Sequence, residues 1–260
     1  MPGNDLTLLR EAALSAGEIA LRFFDGGAES WEKPGNQGLV TEADLAVDAH
    51  LAAQLTAARP GYGWLSEETQ DDPHRLSTPR VFVIDPIDGT RSFANGDRTW
   101  ALSLAVVEGG VPVAAVIHLP ARRLTYTAET GGGAWLNGKR RLSATATEGL
   151  EGADILANRL SMEPVHWPGG VPRIRREFRA SLAYRMALVA EGRFDAMATF
   201  RDTWDWDIAA GALIAAEAGA TVTDGFGQAL TFNTLERHNP GLVCAAPGVH
   251  PALMAHRRPD

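Results

Sequence analysis

Two aspartates lie three residues apart at the end of an apolar run, in the segment Val81-Phe-Val-Ile-Asp-Pro-Ile-Asp-Gly-Thr90. The apolar residues are mostly β-branched and predict a buried strand, so Asp85 and Asp88 lie in the turn that ends it. Two carboxylates held close together repel each other unless a cation lies between them. Oxygen ligands suit Mg²⁺, and the segment therefore predicts a magnesium site.

Further acidic residues stand elsewhere, and each has an ordinary structural explanation when taken alone. Glu67 and Glu68 are adjacent, as in a solvated surface pair. Asp207 falls at the start of a predicted helix, where aspartate commonly caps the helix or interacts with its dipole. Asp44 ends the segment Thr41-Glu-Ala-Asp, a capping-box pattern that already accounts for it. Only the combination of these residues indicates a shared site.

Composition narrows the class of protein. The 260 residues carry a net charge of −8 with scattered Lys and Arg, which argues against a nucleic-acid polymer as partner. The single cysteine, Cys244, excludes an intrachain disulfide and is expected to be buried. Charged residues interrupt the N-terminal segment, which predicts neither a signal peptide nor a membrane span. We expect a cytoplasmic protein that has no membrane partner.

The elements that must position these residues follow from hydrophobic periodicity. Helices are predicted over residues 5–24, 42–58, 181–191 and 206–218. Strands are predicted near residues 81–84, 100–107, 111–118, 124–128, 134–136, 153–157, 194–199, 220–224 and 242–246. The pattern changes near residue 150, from α+β to alternating α/β. We predict an N-terminal lobe, 1–148, with most metal ligands, and a C-terminal lobe, 149–260, with Asp207 and substrate contacts.

Four motifs occur in order along the chain: Leu39-Val-Thr-Glu-Ala-Asp44, Ser66-Glu-Glu68, Asp85-Pro-Ile-Asp-Gly-Thr90 and Trp206-Asp-Ile-Ala-Ala-Gly211. Together they resemble the inositol monophosphatase superfamily of lithium-sensitive, Mg²⁺-dependent phosphomonoesterases. The resemblance extends from Lys33 to about Pro247. It implies an αβαβα layered sandwich, two or more Mg²⁺ ions at the junction of the lobes, and a homodimer.

The resemblance also implies a role for each acidic residue. The implied ligands of two Mg²⁺ ions are Glu67, Asp85, the backbone carbonyl of Ile87, Asp88 and Asp207. Asp85 would bridge the two ions. Asp44 and Thr90 would orient and deprotonate the attacking water, with Glu68 as support behind them. General-base assistance of this kind typically contributes ~10²–10⁴-fold to the rate.

Five residues, of which Thr90 is also a predicted catalytic residue, are candidates for contacts with the substrate. Backbone N–H groups of Gly89 and Thr90, at a predicted helix start, are candidates for binding phosphate oxygens. Arg91 would bind a second anionic group, or be a solvated loop residue, and Ser181 is a further candidate contact. Phe200 stands where the myo-inositol enzymes have an acidic residue that binds sugar hydroxyls. An adenine could instead stack on Phe200 or on its neighbour Trp204.

We therefore predict hydrolysis of a small phosphorylated metabolite. The segment Asn239-Pro-Gly-Leu-Val resembles the 3′(2′),5′-bisphosphate nucleotidase branch and favours 3′-phosphoadenosine 5′-phosphate. Inositol 1-phosphate and then histidinol phosphate are the alternatives, and a non-catalytic metal- or partner-binding protein is the alternative of another class. Enzymes of the haloacid dehalogenase type space their two aspartates by two residues. The spacing of three between Asp85 and Asp88 argues against their phospho-aspartyl mechanism.

Overall fold

The computed structural model describes residues 4–33, 35 and 38–257. Helices α1–α6 span Asp5–Gly26, Glu42–Ala58, Thr90–Ala94, Leu182–Ala190, Asp205–Glu217 and His250–Arg257. Strands β1–β9 span Ser30–Glu32, Leu39–Thr41, Gly63–Ser66, Arg80–Asp88, Ala101–Glu108, Val111–Leu119, Leu124–Glu129, Gly133–Leu136 and Arg140–Arg141. Strands β10–β16 span Asp154–Ala157, Arg175–Glu177, Ala196–Thr199, Thr203–Trp204, Thr221–Thr223, His238–Asn239 and Leu242–Ala245. Short 3-10 helices cover Pro73–Ser77, Pro120–Arg122, Leu160–Met162 and Pro164–His166.

A seven-stranded sheet forms from the first half of the chain, in the order β3-β4-β5-β6-β7-β8-β9. Its central strands are covered on both faces, which explains why their sequences are apolar at nearly every position. Along β4, Phe82 and Ile84 face α1 and α2, whereas Val81 and Val83 face α4 and α5. This alternation is the two-residue period of a strand, and it places a helical layer on each side of the sheet.

A second sheet of five strands, in the order β11-β10-β12-β16-β14, lies on the other side of α4 and α5. Met197 and Cys244 on its inner face belong to the same core cluster as α4 and α5. Ala198 and Val243 on the opposite face pack against Leu253 of α6. The layers therefore follow the order αβαβα, and the predicted sandwich is confirmed.

Most predicted elements are present within a few residues of their predicted bounds. The start of α3 at Thr90 was predicted, but not its extent. The missed elements are too brief to give a periodic signal, and they are α6 and the strands β1, β2, β3, β9, β11, β13 and β15. The seven-stranded sheet lies within residues 63–141 and the second sheet within residues 154–245. The boundary predicted at residue 148 stays a prediction, since α4 and α5 share one core with both sheets.

Two other sequence-based expectations concern the environment of the chain. Cys244 is a free, fully buried thiol, and burial raises its pKa to about 12. Within residues 4–33, 35 and 38–257, no helix has both the length and the apolar character that crossing a membrane requires.

Candidate active site

The site begins at an irregularity near the end of β4. Asp85 pairs with Ser103 and Asp88 with Ala101, so β4 contains one more residue than its partner strand between these pairs. In a regular strand, residues three apart point to opposite faces. A bulge adds a residue and redirects the side chains that follow it. Asp85 and Asp88 accordingly line the same cavity, which explains how a spacing of three can serve one site.

Three carboxylates converge beside this bulge. Oxygens of Glu67, Asp85 and Asp207 lie within 4.8 Å of one another, although the residues come from the end of β3, from β4 and from the first turn of α5. Burial, followed by repulsion from Glu67 and Asp88, raises the pKa of Asp85 well above its ordinary value. Burial, followed by repulsion from Asp88 and Glu67, also raises the pKa of Asp207 well above its ordinary value.

This donor set fits a hard divalent cation. Asp85 is buried and the other two residues are half-buried. Carboxylates that face one another at such a site repel, a cation between them offsets the repulsion, and Mg²⁺ binds carboxylate oxygen. The carbonyl oxygen of Ile87, a predicted ligand, lies 3.1 Å from the Thr90 hydroxyl oxygen. The N–H of Ile87 donates to Asp85 Oδ1 at 2.9 Å and so fixes that carboxylate in the turn.

Asp88 is held from the C-terminal half of the chain. Its Oδ2 accepts hydrogen bonds from Ser181 Oγ and from the backbone N–H of Ala183, each at 2.6 Å. Ser181 is fully buried and also caps α4 by accepting from the Tyr184 N–H. The structure therefore places Ser181 behind Asp88, where it orients the carboxylate, rather than on the surface of the cavity.

The two carboxylate oxygens of Asp44 make different contacts. Oδ2 accepts from the backbone N–H and the hydroxyl of Thr41, which completes the predicted capping box at the start of α2. Oδ1 lies 3.2 Å from the Thr90 hydroxyl. The capping role and the role implied by the family resemblance are thus compatible. Burial raises the pKa of Asp44 to about 6, against the hydrogen bonds from Thr41 that lower it.

A lysine reaches the glutamate pair from the segment after β1. Lys33 Nζ lies 2.9 Å from Glu67 Oε1 and 2.7 Å from Glu68 Oε1. Burial raises the pKa of Glu68 to about 7, although its hydrogen bond to Lys33 acts in the opposite direction. The pair is therefore not a solvated surface feature. Glu68 is tied to the metal-ligand candidate Glu67 through a shared ammonium group.

Gly89 and Thr90 lie where β4 passes into α3. Gly89 has φ of 100°, a left-handed conformation that favours glycine. A side chain at this position would also approach the Thr99 carbonyl at 3.4 Å. Thr90 begins α3, and both residues line the cavity beside the carboxylates. The predicted phosphate-binding backbone is thus beside the predicted metal ligands.

Two connected cavities open over these residues. The first, which we call the carboxylate cavity, has a volume of about 600 Å³ and is lined by Asp85, Asp88, Thr90 and Asp207. The second, which we call the tryptophan cavity, has a volume of about 1070 Å³ and is lined by Trp31, Leu45 and both glutamates of the pair. Their shared lining includes Glu67, Arg91, Arg201, Trp204 and Trp206.

Phe200 lies elsewhere. Its ring packs 4.0 Å from the Arg257 guanidinium and 5.1 Å from the Trp167 ring, among residues of the second sheet and α6. It is not part of the lining of either cavity. Phe200 is therefore not positioned to stack on a substrate base, and Trp204, which lines both cavities, remains the candidate.

Two arginines near the site were not identified from the sequence. Arg185 is buried, donates to the carbonyls of Arg179 and Ala180, and lines the carboxylate cavity. A lone arginine within the apolar helix α4 is a signal that could have identified it, because buried arginines need a specific partner. Arg201 has no such sequence signal, since it lies in a polar turn before β13.

Comparison with known proteins agrees with this arrangement. Residues 4–259 match the inositol monophosphatase family. An inositol-1-monophosphatase from Rhizobium meliloti (strain 1021) is 36% identical over 239 residues, which cover 85% of this chain and 86% of that protein. A 3′-phosphoadenosine 5′-phosphate phosphatase from Mycobacterium leprae (strain TN) is 31% identical over 269 residues, covering 96% and 92%.

Solved structures show the same fold. The extragenic suppressor protein suhB from Bartonella henselae superimposes with a TM-score of 0.83 at 26% identity, covering 97% of each chain. The Thermotoga maritima IMPase superimposes with a TM-score of 0.81 at 27% identity, covering 96% of this chain and 94% of that one. The relatives carry different substrate names, so the family is fixed and the substrate is not. The chain belongs to the inositol monophosphatase family of phosphomonoester hydrolases.

Proposed function

We propose that this chain is a Mg²⁺-dependent, lithium-sensitive phosphomonoesterase whose favoured substrate is 3′-phosphoadenosine 5′-phosphate. The observation that carries the proposal is the convergence of Glu67, Asp85 and Asp207 beside the Thr90–Asp44 pair. Glu67, Asp85, the Ile87 carbonyl, Asp88 and Asp207 would hold the ions. Bound Mg²⁺ supplies a Lewis acid that neutralises the phosphate and makes water a better nucleophile.

The chain's own residues account for proton removal. Thr41 occupies one oxygen of Asp44, so the other is left to accept the hydrogen of the Thr90 hydroxyl. With its hydrogen so directed, the Thr90 oxygen can accept a hydrogen bond from a water molecule on the cavity side. Asp44 is then the group that receives the proton through Thr90. The capping box explains Asp44 Oδ2 but not the approach of Oδ1 to Thr90, and this approach favours a phosphatase over a binding protein without catalysis.

The substrate preference is supported by unpaired positive charge. Arg91 and Arg201 line both cavities. Among the residues that the structure describes, neither guanidinium has a hydrogen-bond or ion-pair partner. Arginine is well suited to bind a phosphate group. Inositol 1-phosphate has no second anionic group and histidinol phosphate has an ammonium in its place, whereas 3′-phosphoadenosine 5′-phosphate has a second phosphate.

The experiment is phosphate release from these three substrates and from glycerol 2-phosphate, in Mg²⁺, in Mg²⁺ with lithium, and in EDTA. We expect Mg²⁺-dependent, lithium-sensitive release, with kcat/KM for 3′-phosphoadenosine 5′-phosphate about tenfold or more above the others. Asp88→Asn is expected to abolish turnover and to keep the circular dichroism spectrum. A preference for inositol 1-phosphate would overturn the substrate assignment. Absence of release from all four, or full activity of Asp88→Asn, would contradict the metal-dependent mechanism.

A further inference from the structure

The tryptophan cavity has an apolar surface that the phosphatase chemistry does not use. Trp31, Leu45 and Trp204 all line it, and their exposed fractions are 43%, 44% and 40%. Large apolar side chains exposed together at one concave surface indicate a binding site rather than a random feature of the surface. The carboxylate cavity beside it already offers about 600 Å³ for the phosphate ester.

Trp204 is held rigidly within this surface. Its ring stacks on Trp206 at a centroid distance of 5.0 Å and an interplanar angle of 8°. Trp206 is buried, and the His238 ring lies perpendicular to the Trp204 ring at a centroid distance of 5.6 Å, so the indole contacts two other rings. The backbone is fixed as well, because Trp204 pairs with His238 between β13 and β15. Trp204 nevertheless keeps 40% of its surface exposed and lines the cavity, so part of the indole is open to a ligand.

An arginine lies beside the Trp204 ring, in a cavity whose lining also includes carboxylates. Arg237 lies with its guanidinium carbon 5.9 Å from the Trp204 ring centroid, and its nearest carboxylate oxygen, on Asp71, is 3.6 Å away. Its buried Nε has no hydrogen-bond partner within the part of the chain that the structure describes. Arg201 lines the same cavity. The site therefore combines a flat aromatic surface with donors for an anion, which matches a nucleotide and not a cyclitol.

We propose that the tryptophan cavity binds the heteroaromatic ring of the substrate, stacked on Trp204. The second anionic group would bind at the arginines that line this cavity, which are Arg91, Arg201 and Arg237. This inference rests on the proposed function, since it assumes that the phosphate ester occupies the carboxylate cavity. Stacking on an aromatic side chain accepts any flat base, so the cavity selects nucleotides as a class. Trp204 is accordingly a specificity-determining residue that takes no part in the chemical step.

The test compares 3′-phosphoadenosine 5′-phosphate with ribose 3,5-bisphosphate, which has the same phosphates and lacks the ring. We expect kcat/KM of the wild type to be about tenfold or more higher for the nucleotide. In Trp204→Ala the two kcat/KM values should become nearly equal, whereas Trp204→Phe should retain most of the preference for the nucleotide. Phe226→Ala removes an exposed aromatic ring outside both cavities and serves as the control, with the ratio unchanged. Equal values for the two substrates in the wild type, or an unchanged ratio in Trp204→Ala, would overturn the inference.

A binding measurement separates this inference from the proposed function. Isothermal titration calorimetry with adenosine 5′-monophosphate and ribose 5-phosphate compares ligands that differ only in the ring, and it needs no turnover. We expect the nucleotide to bind about tenfold or more tightly, and Trp204→Ala to abolish the difference. Equal affinities in the wild type would refute ring binding even if phosphate release is normal. Absence of phosphate release with a preserved affinity difference would refute the phosphatase proposal alone.

Discussion

Asp205 and Asp207 stand two residues apart in the first turn of α5, and their surroundings are opposite. Asp205 is fully buried, and its oxygens accept the Asn233 N–H at 2.7 Å and the Asn239 amide at 3.3 Å. Asp207 faces Glu67 and Asp85 instead. The hydrogen-bond acceptors of Asp205 are therefore paired with donors of the protein, whereas Asp207 lies next to two other carboxylates.

The difference distinguishes a structural carboxylate from a candidate metal ligand. Burial raises the pKa of both groups, and for Asp205 the Asn233 hydrogen bond opposes the rise, which leaves it at about 6. For Asp207 the next largest contributions are repulsion from Asp88 and Glu67, which act in the same direction as burial. Arg201 and a hydrogen bond with Asp85 lower the pKa of Asp207, but burial and the two repulsions outweigh them. A cation between the carboxylates would offset this cost of the charge.

The largest effect is expected from Asp207→Asn. Loss of a metal ligand should lower kcat/KM about 10³-fold or more, since the ion stabilises the transition-state charge by several kcal/mol. In EDTA the melting temperature should be unchanged or higher, because a buried repulsion is removed. Activity and thermal denaturation, measured on the same sample, distinguish loss of a metal ligand from loss of the fold. Retained activity would show that Asp207 is not a ligand.

Thr90→Val should lower kcat about 10²-fold while Mg²⁺ binding stays within twofold of the wild type. The variant keeps the size of the side chain and removes the hydroxyl that points to Asp44. Thr90→Ser is the matched control and should retain most of the activity. Equal losses in the valine and serine variants would assign Thr90 a packing role instead.

Asp205→Asn is the counterpart of Asp207→Asn and should have the opposite profile. An asparagine has one acceptor oxygen, so one of the two buried donors loses its partner, at a cost of about 1–3 kcal/mol in the free energy of unfolding. Urea denaturation measures this loss. The Mg²⁺ response should remain, and its disappearance would contradict the division between the two aspartates.

The smallest effect on activity is expected at His118, whose pKa depends mainly on burial and not on charged neighbours. Its Nδ1 is 2.9 Å from the Thr125 hydroxyl, and burial lowers its pKa to about 4. An unfolded chain protonates histidine near pH 6.5. The contribution of His118 to stability is therefore present above pH 6.5 and is lost as the pH falls toward 4. An NMR titration of the imidazole gives the value directly, and a pKa near 6.5 would refute this account.

The sequence anticipates the groups that lie close together in the chain. The strand and turn containing Asp85 and Asp88, and the capping box of Asp44, were predicted from local patterns, and the order of motifs predicted the layered fold. The bulge was not predicted, although it is what aligns Asp85 with Asp88.

Contacts between distant segments could not be predicted in this way. Lys33 meets Glu67 and Glu68 across more than thirty residues, and no local pattern indicates such an approach. The spacing between Phe200 and Asp207 predicted that Phe200 contacts the substrate. In the structure its ring packs against Trp167 and Arg257, in the core between the second sheet and α6. Spacing fixes where a backbone passes, whereas packing decides which side chain reaches the cavity.

The most direct test is phosphate release from 3′-phosphoadenosine 5′-phosphate while Mg²⁺ is titrated into protein freed of metal by EDTA. We predict no release at the start and a rate that rises with Mg²⁺ and saturates, because the Glu67, Asp85 and Asp207 carboxylates need the ion. Release that proceeds equally in EDTA would contradict the account, as would absence of release at every Mg²⁺ concentration from this substrate, inositol 1-phosphate and histidinol phosphate.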